Sequence, residues 1–322
     1  MSSYIGRRIL QGIVVLFLVS FIAFIIFQYL GDPVMTLAGR YATQAQREEV
    51  RQSLGLDKPF YVQYFNFLKN ALQGNFGMSY VTRVPVLDLI AERLPASIEL
   101  AFVAESFAVI MGVSLGVFVS ANPKSIMSKF LMTGSLFGVS LPTFLVGILL
   151  IYIFSIKLGI MPSSGRGETI TILNFWRSGL LTLDGWRHVI LPAFTLGMFQ
   201  MALLFRITRG AMLEVLSAEY IRTAWAKGLK GKMVLFKHAL RNALIPVVTM
   251  IGLQFGQLIG FAIVTESIFQ WPGAGNLLLN SLYESDFPVV ATYVIMVALI
   301  VVFLNVIVDI SYAFLNPKIR YK

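Results

Sequence analysis

The sequence predicts an all-α membrane protein with six transmembrane helices, a helical cap outside the membrane between the first two, and a helical cytoplasmic loop between the fourth and fifth. Composition supports this prediction, because 57% of the 322 residues are hydrophobic and only 13% are charged. The apolar residues are also gathered into long uncharged runs. Soluble domains have about 45–50% apolar and about 25% charged residues, so a soluble enzyme is excluded. The chain has no cysteine, which excludes disulfides and iron–sulfur clusters.

Each predicted span is an uncharged run close to the roughly 20 residues that a helix needs to cross the hydrocarbon core. The six runs are 9–30, 106–121 with an extension upstream, 130–156, 189–205, 243–265 and 289–308. The first run is too long for a signal peptide and no small-residue cleavage site follows it, so we expect it to remain as an anchor. Pro142 predicts a kink in the third span.

Six spans place both termini on one side of the membrane, and the basic residues make that side the cytoplasm. Fifteen of the 26 Lys and Arg lie in the N-terminus, the turn before residue 130, the loop 206–241 and the C-terminal tail. An excess of Lys and Arg marks cytoplasmic loops. The loop 266–288 agrees with an outer position, because it carries Glu266, Glu284 and Asp286 but no Lys or Arg. We therefore interpret the net charge of +10 as an orientation signal and not as a nucleic-acid surface.

The chain divides into an N-terminal span (1–30), an outer subdomain (31–95) and a transmembrane domain (96–322) that contains the cytoplasmic loop 206–242. In the outer subdomain, Thr43 and Gln46 form a capping-box pattern for a helix that Gly55 ends. A second, aromatic-rich helix is predicted over 60–72, before Gly74. This subdomain is either a packing lid over the helix ends or a docking surface for an external partner.

The loop 206–242 is too polar to enter lipid and has helical patterning of its own. Apolar residues are interspersed with charges, and Gly228 and Gly231 predict a turn between two short helices. A connection of this length is usually functional. The alternative is a basic amphipathic helix that lies on the lipid headgroups.

In this loop the chain resembles the permease subunits of bacterial ABC importers, whose signature is Glu-Ala-Ala followed by a Gly and later by a Pro. Here Glu219, Ala224, Ala226, Gly228 and Pro246 occupy that pattern. More narrowly, the chain resembles the B-type permease of the dipeptide/oligopeptide/nickel family. The segments that match in order are GDPV, LGLDKPFYVQY, GNFGMS, ERLPASIEL, WPGAG and NPKIRYK. Two residues depart from the family pattern: Trp225 replaces a usual arginine, and Glu105 replaces a usual apolar residue.

The resemblance implies half of a heterodimeric pore in the bacterial inner membrane that passes short peptides, or a related solute such as glutathione, into the cytoplasm. Within the family, nickel and opine import are alternatives. The implied partners are a homologous second permease, two ATPase subunits that hold ATP and Mg, and an extracytoplasmic solute-binding protein. The implied ATPase-coupling residues are Glu219, Tyr220, Ile221, Arg222, Thr223, Ala224, Trp225, Ala226, Lys227 and Gly228. Among these, Tyr220, Ile221 and Ala224 are expected to fill a groove in the ATPase.

The residues themselves indicate that this chain is not an enzyme and holds no cofactor. The phosphate-binding pattern G-x-x-x-x-G-K-[ST] is missing from the sequence, so energy has to come from a partner. The two histidines, His188 and His238, are predicted on opposite sides of the membrane, so no metal site is expected. The competing class is an ion-coupled secondary transporter, which would need acidic residues or discontinuous helices inside the membrane.

Small residues and polar residues within the spans predict two further sets of positions. Glycines four residues apart predict close helix packing, and they are Gly112, Gly116, Gly134, Gly138, Gly252, Gly256 and Gly260. The candidate pathway residues are Glu99, Glu105, Gln254 and Gln257. We expect Glu99, near the outer end of its span, to be structural, and Glu105 to meet an amino group of the solute or an arginine of the second permease.

Overall fold

The computed structural model describes residues 2–26, 28, 34, 38–39, 41–173 and 176–315. The helices are α1 Ser2–Ile25, α2 Gln44–Ser53, α3 Phe60–Leu72, α4 Val86–Ala121, α5 Ile126–Ser140, α6 Thr143–Lys157, α7 Leu183–Leu216, α8 Glu219–Ala226, α9 Gly231–Ile268, α10 Ala274–Tyr283 and α11 Phe287–Leu315. Two short antiparallel strands, β1 Ile170–Leu173 and β2 Trp176–Ser178, form a hairpin between α6 and α7, which the sequence analysis did not predict. Otherwise the all-α prediction is confirmed.

The helices α4 and α7 run parallel, and this arrangement organises the bundle. A Cβ atom added at Gly112 would lie 3.0 Å from Leu204, and one added at Gly116 would lie 2.7 Å from Thr208. The residue numbers rise together along this contact, so both helices point the same way. We call the end with Ala121 and Leu216 the α8 end, and the other end, with the β1–β2 hairpin, the hairpin end.

Because α4 and α7 are parallel, the chain between them has to return from the α8 end to the hairpin end. The pair α5 and α6 packs antiparallel to α7, with Gly138 beside Ala202 and Gly147 beside Thr195. Among the described helices, α1, α4, α7, α9 and α11 are each long and apolar enough to cross a membrane. The pair α5 and α6 supplies a sixth crossing if it is counted as one broken span.

The third predicted span is broken where the sequence analysis expected only a kink. The two helices are bent by 107°, and Leu141 and Pro142 between them are extended, with ψ angles of 132° and 133°. The proline ring disfavours helical geometry in the residue before it, which accounts for the break. By contrast, Pro95, Pro192 and Pro246 lie inside continuous helices.

The other predicted spans lie inside longer helices. Helix α4 begins 20 residues before the predicted start at 106 and continues through the domain boundary placed after Pro95. The predicted loop 206–242 contains the end of α7, then α8, then the start of α9, in which Val234–Leu240 is π-helical. The last predicted residue of the first span, Leu30, and the tail 316–322 lie outside the described residues.

The two helices of the outer subdomain form where the sequence predicts them. Thr43 caps α2 in a capping box, since its backbone N–H donates to Gln46 Oε1 over 2.9 Å and its hydroxyl accepts from the Gln46 N–H. Gly55 follows α2 with φ +67°, a left-handed conformation that glycine adopts without steric cost. Helix α3 spans the predicted residues 60–72 and packs against α1.

Candidate functional site

Helix α8 is a short, well-terminated helix at the α8 end of the bundle. Glu219 lies in its first turn, where a negative charge interacts favourably with the helix dipole. Gly228 ends the helix with φ +73°. Its N–H donates to the Trp225 carbonyl over 2.9 Å, and the Leu229 N–H donates to the Ala224 carbonyl over 3.4 Å. These two bonds form a Schellman motif, which is the helix stop that the sequence predicts at Gly228.

One face of α8 packs against other helices of this chain. Ile221 is fully buried and Ala224 is 7% exposed. Their cluster contains Val117 of α4, Met212 of α7, and Val234, Ala239 and Ala243 of α9. The expectation that Ile221 and Ala224 fill a groove in an ATPase is therefore wrong, because the core of this chain already covers both side chains. Helix α8 is instead joined to three long helices at once.

The opposite side of α8 is exposed, and we call it the outer face of α8. Its residues are Glu219, Tyr220, Arg222, Thr223, Trp225, Ala226 and Lys227, with Gly228 at the end. The Tyr220 hydroxyl accepts a hydrogen bond from Asn242 Nδ2 of α9 over 2.8 Å. The sequence analysis missed Asn242, for which no motif gave a signal. Tyr, Trp and Arg are the residue types that most often dominate the energetics of protein interfaces.

Glu105 lies in an apolar cavity of about 520 Å³ between α4, α9 and α11. Its side chain is 5% exposed, and neither carboxylate oxygen has a hydrogen-bond partner among the described residues. The lining residues are Phe102, Ser106, Val109, Ile110, Ile251, Gly252, Phe255, Leu304, Ile307 and Val308. An unpaired carboxylate in a membrane span is costly and usually functional, so this cavity favours a positively charged or hydrogen-bonding guest.

Gln257 lines a different cavity, of about 300 Å³, between α6, α7 and α9. The same cavity contains Gln200 of α7, which is 5% exposed and whose Oε1 has no hydrogen-bond partner among the described residues. Gln254 is buried in α9, and its Oε1 likewise has no partner there. The predicted pathway residues are thus not brought together in one cavity. Gln200 was not among the predicted pathway residues. Like Gln254, it is an amide within an uncharged run, and this signal could have identified it.

Glu99 holds the hairpin end together and is not available to a solute. Its carboxylate forms a buried ion pair with Arg166 at 2.6 Å and accepts hydrogen bonds from Trp176 Nε1 at 3.1 Å and from the Gly179 N–H at 3.3 Å. The structural role expected for Glu99 fits this geometry. Its tentative place among the pathway residues does not, because the chain's own donors surround the carboxylate.

Glu266 is a second buried carboxylate, although the sequence analysis placed it in an outer loop. It is fully buried at the end of α9. It accepts hydrogen bonds from the Ser97 hydroxyl at 2.5 Å and from the Asn276 N–H at 2.9 Å. Nearby, Trp271 Nε1 donates to the Ala96 carbonyl over 3.0 Å. The WPGAG segment is therefore a structural joint between α4, α9 and α10.

Asp286 makes a similar joint before α11, and it is also buried within the predicted outer loop. It accepts hydrogen bonds from the Ser79 hydroxyl at 2.5 Å and from the Tyr80 N–H at 3.0 Å. Burial first, and then the charge of Asp286, raise the pKa of Tyr80 above its ordinary value. The phenol therefore stays neutral, and acidic residues in this loop serve packing as well as orientation.

The predicted packing glycines fall into two groups. Gly112, Gly116, Gly138, Gly252 and Gly256 lie where an added Cβ would contact another helix. At Gly252 that contact would be with Val308, inside normal van der Waals distance. Gly134 and Gly260 have no described atom from a neighbouring element within 4 Å of such a Cβ. These two glycines therefore lie on surfaces that this chain leaves open.

Comparisons with known proteins agree over the whole chain. A family model described as "Binding-protein-dependent transport system inner membrane component" matches residues 110–321, and the model of the corresponding N-terminal part matches residues 1–101. The glutathione transport system permease protein GsiC of Escherichia coli (strain K12) is 42% identical over 323 residues, with 100% of both chains covered. GsiC of Shigella flexneri serotype 5b is 41% identical with the same coverage.

Solved structures extend the comparison to the fold. Two inward-facing forms of the MetNI methionine ABC transporter align with TM-scores of 0.55 and 0.56. They cover 71% of this chain and 96% of theirs, at 15% and 16% sequence identity. At this identity the likeness shows a shared helical fold and no more.

Proposed function

Because the chain belongs to the family of permease subunits of ABC importers of the dipeptide/oligopeptide type, we propose that it forms one half of a heterodimeric pathway for short peptides or glutathione. The observation that carries this proposal is the full-length match, at 42% identity, to a glutathione permease. As a permease it is a multi-pass, non-enzymatic subunit of the inner membrane. Nickel chelates and opines are the other cargoes that the family pattern allows.

The proposed assembly contains a homologous second permease, two ATPase subunits and an extracytoplasmic solute-binding protein. ATP and Mg would be held by the ATPase subunits, since this chain has no phosphate-binding loop of its own. The N- and C-termini are proposed to lie in the cytoplasm with the α8 end, where the basic residues are concentrated.

The outer face of α8 is the proposed contact for an ATPase. A partner can shift a protein between two states only by binding one state more tightly than the other. Helix α8 transmits such a bias because Ile221 and Ala224 seat it on α4, α7 and α9 together. A displacement of α8 would therefore shift all three helices, which supply walls of the Glu105 cavity and of the Gln257 cavity.

The experiment that tests import uses the complete set of subunits reconstituted in vesicles, with radiolabelled glutathione or dipeptide and the binding protein outside. We expect accumulation that requires ATP at the ATPase side and continues when ion gradients are dissipated. Accumulation that follows an ion gradient and ignores ATP would instead establish a secondary transporter and refute the proposal.

A further inference from the structure

Helix α3 was expected to lie outside the membrane, in the cap between the first two spans. We propose that it is instead an interfacial helix whose exposed apolar side is embedded in the lipid boundary beside α1. The partner is therefore lipid. This inference rests on the membrane location of α1 and not on the proposed cargo or ATPase contact.

Helix α3 packs directly against α1. The Tyr64 ring packs edge-on against Phe17 and Phe21, with ring centroids 5.8 and 5.3 Å apart. The Tyr64 hydroxyl lies 3.0 Å from Ser20 Oγ of α1. Phe60 packs against Phe24 with centroids 5.3 Å apart. These contacts fall inside the apolar stretch Gly6–Ile25 of α1, not beyond its end.

The depth of the contact follows from helix geometry. Phe17 lies eight residues before the end of that stretch, or about 12 Å at 1.5 Å per residue. A segment that packs this far along a membrane span cannot stand clear of the bilayer. Interfacial helices bury their apolar faces about 5–10 Å into the boundary between headgroups and acyl chains.

Helix α3 also has an apolar side that α1 does not cover. We call it the apolar flank, and its residues are Tyr61, Phe65 and Leu72. These side chains are 64%, 67% and 88% exposed. At 100° per residue they lie within about 40° of one another around the helix. They continue the surface of α1, because Phe17, itself 53% exposed, touches Tyr64, and the Tyr64 ring lies next to Phe65.

The opposite flank of α3 is polar. Asn66 and Asn70 are exposed there, about 120° and 160° around the helix from the middle of the apolar flank, and the exposed Lys69 lies at the edge between the two flanks. A helix with aromatic and aliphatic residues on one side, amides on the other and a lysine at the boundary is suited to lie in the plane of the interface. Tyrosine and lysine at this level are typical anchors, since each has an apolar body and a polar end.

The experiment uses the assembled importer in vesicles of phosphatidylethanolamine and phosphatidylglycerol. The chain has no cysteine, so a single introduced cysteine carries a nitroxide label without background. The test variant is Phe65→Cys, and the matched control is Asn70→Cys on the polar flank of the same helix. Collision rates are measured with oxygen, which concentrates in lipid, and with a water-soluble nickel chelate.

We expect the ratio of oxygen to nickel collisions at Phe65→Cys to exceed that at Asn70→Cys several-fold. Equal ratios dominated by nickel would mean that the apolar flank faces water, which overturns the proposal. Low collision rates with both reagents at Phe65→Cys would mean that another protein covers the flank, which also overturns it. Unchanged solute uptake by both variants, measured in parallel, verifies that the labelled complexes are folded.

Discussion

Single residues at the hairpin end explain why certain glycines are needed. The Glu266 carboxylate fills the space in which Gly273 and Gly275 would carry side chains. It also accepts the Asn276 N–H at the start of α10, where backbone donors have no partner within the helix. Burying a carboxylate without such donors is costly. The WPGAG segment is therefore shaped by one acidic side chain that lies before it in the sequence.

Gly273→Ala is expected to destabilise the protein, because the added methyl group overlaps the Glu266 carboxylate. Overpacking of this kind costs about 1–3 kcal/mol. The measurement is the thermal unfolding midpoint of the purified protein in detergent. Gly210→Ala is the control, since no described atom lies near an added Cβ there, and it should match or exceed the wild-type midpoint. Equal midpoints for the two variants would contradict the assignment.

Glu105→Gln is expected to lower solute uptake by the assembled importer while the ATPase rate stays close to wild type. The substitution removes the carboxyl group that the apolar cavity offers to a positively charged or hydrogen-bonding guest but keeps the shape of the side chain. Ser106→Ala, in the same cavity, is the control for altered packing and should leave uptake nearly unchanged. A Glu105→Gln importer with normal uptake would exclude Glu105 from the pathway.

At the level of elements, α8 has two faces with different tasks. Its inner face is part of a core, and truncation of a buried isoleucine to alanine typically costs about 2–5 kcal/mol. Its outer face carries Tyr220 and Trp225, which are 45% and 52% exposed and therefore contribute less to folding than the buried Ile221. Mutations on the inner face should therefore change stability, and mutations on the outer face should change coupling to the ATPase. The sequence motif alone does not show which residues belong to which face.

Trp225→Ala is expected to leave the unfolding midpoint unchanged and to weaken the stimulation of ATP hydrolysis by solute and binding protein. An interface residue of this type is worth about 2 kcal/mol or more when it is central to the contact, which corresponds to about thirtyfold weaker ATPase association or more. Lys129→Ala, an exposed substitution at the same end of the bundle, is the control. If Trp225→Ala retained full stimulation while Ile221→Ala merely unfolded, the outer face would not be the coupling surface.

For the whole molecule, the parallel arrangement of α4 and α7 decides the topology. It obliges α5, α6 and the hairpin segment to carry the chain from one end of the bundle to the other. The broken pair supplies a sixth crossing if its two helices, bent by 107°, are counted as one span. A discontinuous helix is acceptable at membrane depth where neighbouring helices cover its free backbone groups.

Cysteine labelling in intact cells tests this topology. We expect a membrane-impermeant maleimide to label Arg177→Cys, in the hairpin, from outside the cell. Lys124→Cys, before α5, should be labelled only after the membrane is permeabilised. Labelling of Arg177→Cys and Lys124→Cys from the same side would show that α5 and α6 form a re-entrant loop.

Local patterns in the sequence were sufficient to locate the five long helices and to predict the helix ends at Thr43 and Gly228. Hydropathy locates α1, α4, α7, α9 and α11 because a helix that crosses the hydrocarbon core needs apolar side chains along its own length. The capping box at Thr43 and the stop at Gly228 are likewise local, since their hydrogen bonds join residues only a few positions apart. The resemblance to importer permeases also depends on short segments read in order.

The sequence by itself therefore determined the membrane class, the positions of the long helices and the family. Only the tertiary structure decided that Ile221 faces inward, that Glu99 and Glu266 are internal joints, and that Glu105 and Gln257 occupy separate cavities. The physical reason is distance along the chain: Ser97 and Glu266 are 169 residues apart. Whether a carboxylate has hydrogen-bond partners, faces solvent or lines a cavity depends on residues distant in the sequence, which no local pattern reveals.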